Sequence, residues 1–269
     1  MPLTIPSHPG LLAPLVVVDR RRLDGVALLV GAVAPDLPYA WSRADLPFEF
    51  DGHLTPPVFL FSAPVAVVIA LLFRRYVARP LAAHMPDAAP FRLRDVAYAA
   101  NDRYRLWWSY LCGALGAISH LVTDSFSHPE PWAVLLLDGR LYDRIDLPLL
   151  GTRQVYDVIY AFFNVVGGLL LVGSMAYAGW RRARREVPHP GLPLATVRSS
   201  IALLAPMAVG LIVGTLLADR TWGPETFPKA SMQFVWMVAI GLLVGCTWAG
   251  RELGLRPGDT VERVGVPAS

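Results

Sequence analysis

His120, Asp124 and His128 recur at four-residue intervals in AISHLVTDSFSHPEPW (117–132), in an otherwise apolar part of the chain. On an α-helix such positions advance about 40° each, so the three side chains form one gently turning stripe and can face one point. Neutral imidazole and carboxylate are ligands that zinc and similar divalent ions accept. An ionisable side chain within a membrane span is costly unless it is paired or functional, whereas at a helix end emerging into water it costs little. The stripe alone leaves both possibilities open.

Other polar residues join it. VAPDLPY places Asp36 near the end of an apolar run, and FDGHLTP places His53 at the entry to the next. Taken singly, Asp beside Pro35 suits a helix boundary and His beside Gly52 suits a loop. His84 and His189 sit among prolines and arginines, away from these stretches, and are assigned no role.

The elements that must hold these residues are membrane helices. Of 269 residues, 54% are hydrophobic and 17% charged, with a mean hydropathy of +0.44, outside the ordinary soluble range. Apolar runs at 58–77, 107–126, 155–180, 197–219 and 231–250 approach the about 20 residues a helix needs to cross hydrocarbon, and a shorter run at 26–41 makes about six. No cleavable signal peptide is expected, because the first apolar stretch holds Pro2, Pro6, Pro9 and Pro14 and leads into charges. Cys112 and Cys246 both fall inside predicted spans and suggest neither a disulfide framework nor a zinc site.

If the six segments alternate across the bilayer, 18 of the 24 Lys and Arg residues fall on one side and 6 on the other. The positive-inside rule then places both termini in the cytoplasm of a multi-pass protein of the inner (plasma) membrane. Membrane topology, rather than nucleic-acid binding, accounts for the net charge of +3. Loops 42–57, 127–154 and 220–230 face outward, and Asp36, His53, His120, Asp124 and His128 all land near that face. His8 precedes the cytoplasmic DRRR, yet a hairpin of residues 9–18 and 26–36 around the charged turn 19–25 brings His8 level with Asp36. A half-helix ending inside the membrane needs its exposed backbone groups buried in protein or facing a wet cavity.

The chain divides at the proline-containing stretch 181–196 into a motif-bearing part, 1–180, and a plain C-terminal helical pair with its tail, 181–269, within one continuous membrane domain. The pair carries Gly210-x-x-x-Gly214 and Gly241-x-x-x-Gly245, spacings that let helices approach closely. In the loop LLLDGRLYDRIDLPLLG, Asp138, Asp143 and Asp146 lack the glycine and terminal glutamate of a calcium loop, and the segment reads as solvated with an interfacial turn.

Residues 1 to about 180 resemble a family of largely bacterial integral membrane proteins of unknown function. MPLTIPSHP, GAVAPDLPY, a His before the next span and LGAISHLVTDSFSHP carry the resemblance to its Ser-His-Pro, Pro-Asp and His-x-x-x-Asp-x-x-x-His motifs. The plan is similar to that of the membrane-bound metal-dependent hydrolases. The resemblance marks His8, Asp36, His53, His120, Asp124 and His128 as candidate metal ligands, with Asp36 and Asp124 as candidate catalytic carboxylates. TRQVYDV departs from an expected Gln-His pair: Val155 follows Gln154, so that role is absent or has passed to Asp157.

The expected architecture is an all-α polytopic bundle of about six transmembrane helices plus a short N-terminal half-helix. Its leading function is a hydrolase using one or two divalent ions, zinc or manganese, at the outer membrane face. There it would meet a phosphoester or lipid-linked substrate, with Arg140, Arg144 and Arg153 available to grip a phosphate. Two alternatives use the same residues: a metal or proton binding or transport protein, and a structural membrane protein whose polar cluster ties helices together. The bilayer is the one partner the sequence implies; it gives no oligomeric state.

Overall fold

The computed structural model describes residues 7–19, 22–40, 55–87, 89–128, 131–148, 151–221 and 227–261. Helix α1 (Ser7–Val18) descends to a charged turn, and α2 (Gly25–Gly31) returns from it, so the expected hairpin is present. Asp24 closes the turn by capping α2, its Oδ1 accepting the Ala27 N–H at 3.0 Å. Helix α3 (55–84) contains wide turns at Val58–Ser62 and Phe73–Val77. Pro64 stands just beyond the first; lacking an N–H and crowding the preceding turn, proline disturbs the regular ladder. Helix α4 (Leu106–Ser127), the short α5 (Pro131–Leu136), α6 (Val155–Arg184), α7 (Val197–Thr221) and α8 (Phe227–Glu252) complete the helical set.

Helix α1 packs along α6, α2 and α3 along α4, and α7 along α8. The interfaces are lined by small side chains: Ala27, Ala32, Ala70 and Cys112 join Leu12 and Leu28 in one buried cluster. Large apolar side chains point outward instead. Phe162, Val165, Leu169 and Val172 form an exposed face of α6, and α7 exposes Ile201, Leu204, Val209 and Leu216. A soluble protein rarely shows apolar surface on this scale, whereas small residues inside and large ones outside suit helices packing in lipid.

Among the described residues, four helices are long and apolar enough to cross a membrane: Val58–His84, Val155–Arg184, Val197–Ala218 and Lys229–Glu252. The other two expected spans have a different character. Run 26–41 is not one α-helix: α2 stops at Gly31, and Ala34–Ala40 forms a 3-10 helix containing Pro35 and Pro38. Its loosened carbonyls are taken up by α8, where Gln233 donates to the Ala40 oxygen at 3.1 Å and Trp236 to the Leu37 oxygen at 3.3 Å. Run 107–126 lies within the continuous 22-residue helix Leu106–Ser127, but Ser109, Ser119, His120, Thr123, Asp124 and Ser125 make it more polar than a typical span.

The segment before α6 departs from an all-helical plan. Arg144–Leu147 and Gly151–Gln154 pair as an antiparallel hairpin in which Arg144, Asp146 and Arg153 are exposed. The glycine spacings of the C-terminal pair serve packing: a Cβ on Gly210 would press on the Met237 carbonyl, and one on Gly241 on the Pro206 carbonyl.

Candidate metal centre

Two close helix crossings bring the polar residues together. A Cβ on Gly10 would collide with the Gly167 carbonyl and one on Gly167 with the Ser7 carbonyl, so α1 and α6 touch backbone to backbone at His8. Likewise Gly116 of α4 lies against the Leu28 carbonyl and Gly31 against that of Gly113, holding α2 and the Asp36 turn beside His120.

His8 is buried at the first turn of α1, and His120 is fully buried on α4. Their ring centroids stand 4.1 Å apart. His120 donates Nδ1–H to the Ala32 carbonyl oxygen at 2.9 Å, because a carbonyl only accepts. The neutral ring therefore keeps its lone pair on Nε2. Thr123 gives its hydroxyl proton to the carbonyls of Ser119 and His120, both at 3.0 Å, so its oxygen accepts from Nδ1 of His8 at 2.8 Å. The second ring has the same tautomer, and its Nε2 is buried with no hydrogen-bond partner among the described residues.

Both Nε2 atoms face carboxylates. His8 Nε2 lies 3.6 Å from Asp124 Oδ1, and His120 Nε2 lies 3.9 Å from Asp124 Oδ2 and 3.5 Å from Asp36 Oδ1. One ligand atom from each of His8, His120 and Asp124 falls within 4.8 Å of the others. Asp36 is largely buried, and Asp124 has a side-chain exposure of 17%, enough to admit solvent from one side.

His128 stands differently from the stripe drawn above. It is the residue that ends α4, with φ −129° and ψ 84°, and its ring is half-exposed. Its Nδ1 lies 3.3 Å from Asp124 Oδ1 and 3.2 Å from the Ser127 hydroxyl, which itself approaches Asp124 Oδ1 at 3.3 Å. His128 thus sits at the rim of the cluster. His53 lies outside the described residues. Arg140, Arg144 and Arg153 are exposed on the loop and hairpin before α6. Asp157 is exposed at the start of α6, and Tyr160, one turn on, meets His128 edge to face at 5.7 Å. The two histidines given no role bond elsewhere: His84 to Ser199 at 3.0 Å and His189 to Asp87 at 2.9 Å.

Three features were not anticipated from the sequence. Thr123 lies three residues after His120, on nearly the same helix face, and that position was the available signal. Tyr160 carried no signal beyond being a polar aromatic at the end of a span. Arg74, counted above as a topology charge, is buried and pairs with the fully buried Asp24, to which Ser109 also donates at 2.5 Å.

The fold and this cluster define a helical membrane protein with a buried His, His, Asp constellation open on one side. A family model for a domain of unknown function, DUF4184, matches residues 1–250, and the chain belongs to that family. The match extends well past residue 180 and takes in the C-terminal helical pair. Among curated proteins and solved structures, no match to the chain was found.

Proposed function

We propose that this chain is a divalent-metal-dependent hydrolase embedded in the plasma membrane. One observation carries the proposal: two imidazoles with committed Nδ1–H groups turn their Nε2 lone pairs toward a shared carboxylate. Electron-rich atoms converging in a buried site call for a cation between them. Donors on a tetrahedral zinc ion, with bonds of about 2.0–2.1 Å, stand about 3.3 Å apart. The two Nε2 atoms stand 3.6 and 3.9 Å from the Asp124 oxygens, longer than direct hydrogen bonds, and the three ligand atoms fall within 4.8 Å of one another, room for an ion between them. The donor set of two imidazoles and a carboxylate fits zinc or manganese.

In this reading His8, His120 and Asp124 hold the ion, and the Thr123 hydroxyl and Ala32 carbonyl fix the two rings. When bound, such an ion supplies Lewis acidity toward a phosphoryl or carbonyl oxygen and toward water. Asp36, beside His120 yet on a different element, takes the proton from the attacking water as general base and returns it to the departing ester oxygen. The water oxygen bonds to phosphorus or carbon as the ester bond breaks. His128 holds Asp124 from the exposed side.

The arginine distribution orients the site outward and both termini inward. The four apolar helices cross the bilayer, α4, whose Leu111, Leu115, Ile118 and Val122 face outward, and the broken α2 segment complete six passages, and α1 enters as a half-helix. A site at the outer interface suits a phosphoester or lipid-linked substrate. The test is hydrolysis of a chromogenic phosphodiester and a carboxylic ester by zinc- or manganese-loaded protein. Turnover that falls at least a hundredfold in Asp36→Asn, with metal content unchanged, supports the proposal. Absence of turnover on esters of both kinds, including lipid phosphoesters, by fully loaded protein contradicts it.

A further inference from the structure

At the other end of the bundle, α6 carries its basic turn, and Arg181 donates to the Val17 carbonyl at 3.0 Å. Tyr160 and Arg181 are 21 residues apart on this helix, about 32 Å along its axis, so this region is remote from the metal cluster. Here a cleft of about 1250 Å³ opens between the α1–α2 turn, α3, the Leu93–Asn101 segment and α6. That is larger than the about 300–1,000 Å³ usual for small-molecule sites.

The cleft is polarised. Val26, Val30, Phe73 and Met175 line its apolar part. Arg103, Arg181 and Arg185 line its basic part, where Asp102 and Asp19, the latter held by Arg22 at 3.8 Å, also reach the lining, and Arg103 and Arg185 are exposed. Met175 lies six residues before Arg181 on α6, so the apolar wall reaches about 9 Å beyond the arginines toward the middle of the bundle. Within the cleft, Asp95 is engaged by Arg92 at 3.2 Å and Arg182 at 3.0 Å. Among the described residues, Arg103 and Arg185 enter no ion pair. An anionic head joined to an apolar chain matches both halves; a small soluble anion matches one.

We propose that this cleft binds one anionic phospholipid from the leaflet at the basic end, its phosphate against Arg103, Arg181 and Arg185 and its acyl chain along Val26, Val30 and Phe73. The proposal is independent of the metal centre. Basic pockets between membrane helices recognise anionic headgroups through contacts of this kind.

Native mass spectrometry of the full chain in neutral detergent tests it, with phosphatidylglycerol, phosphatidylcholine and inorganic phosphate added separately. One retained phosphatidylglycerol per chain is expected, with phosphatidylcholine held at least tenfold more weakly. The Arg103→Gln, Arg185→Gln double variant should lose about tenfold in phosphatidylglycerol affinity, and Val30→Trp should reduce retention by filling the apolar part, both variants eluting as monodisperse protein. Equal retention of the two lipids overturns the proposal. So does displacement of phosphatidylglycerol by millimolar phosphate, or affinity unchanged in the double variant or in Val30→Trp.

Discussion

The Thr123 hydroxyl decides what His8 can do. By accepting Nδ1–H of His8 at 2.8 Å it leaves Nε2 as the lone-pair nitrogen in a buried cluster. Outer-shell partners of this type tune metal affinity by about 10–100-fold. Thr123→Val, nearly the same shape without the acceptor, is therefore expected to weaken zinc binding by that factor, while Thr123→Ser restores it. Calorimetric titration of zinc into the two variants checks this; equal affinities would show that the hydroxyl does not orient the ring. Asp124 approaches both buried imidazoles, Ser127 and His128. His128 is half-exposed at its rim, so His128→Ala should cost less metal affinity than His120→Ala by tenfold or more, in the same titration.

Elements meet at the site because backbone approaches backbone. Replacing Gly10 by Val puts side-chain atoms where the Gly167 carbonyl stands, and the strain of overpacking is about 1–3 kcal/mol or more. The expected result is a lower thermal midpoint together with loss of bound metal, since α1 brings only His8 to the cluster. A second tie lies at the basic end, where Asp24 caps α2 and pairs with Arg74 of α3 while Ser109 of α4 donates to it. Removing one partner of a buried pair costs about 3–5 kcal/mol because the other charge is left unpaired. Asp24→Asn should therefore destabilise strongly, and the apolar double replacement Asp24→Leu, Arg74→Met should recover most of the loss. Thermal unfolding in detergent distinguishes this from an additive effect of the two changes.

Across the whole molecule, the sequence carried some levels of organisation and concealed others. The α1–α2 hairpin was legible because the DRRR turn separates two apolar runs of similar length, which put His8 level with Asp36. His120 and Asp124 were legible through helical spacing. The break after Gly31 was only hinted at by Pro35 and Pro38, because the freed carbonyls find donors in Gln233 and Trp236, almost 200 residues away. Position 128 followed the four-residue spacing, but the helix ends there, and periodicity cannot show where a helix stops. Asp24 and Arg74 are 50 residues apart, and pairing at that separation is a tertiary fact. The orientation inferred from 18 basic residues on one side of the membrane against 6 predicts a cytoplasmic C-terminus. A C-terminal fusion to a reporter active only outside the cytoplasm should stay silent, and its activity would reverse the assignment.

The central claim is that His8, His120 and Asp124 hold a divalent ion. Elemental mass spectrometry of detergent-purified protein tests it most directly, with wild type beside the His120→Ala, Asp124→Ala double variant. About one equivalent of zinc or manganese in the wild type, lost in a variant that remains folded, is the expected result. Well-folded wild type that takes up no metal even after incubation with zinc and manganese would contradict the account and leave the cluster as a tie between helices.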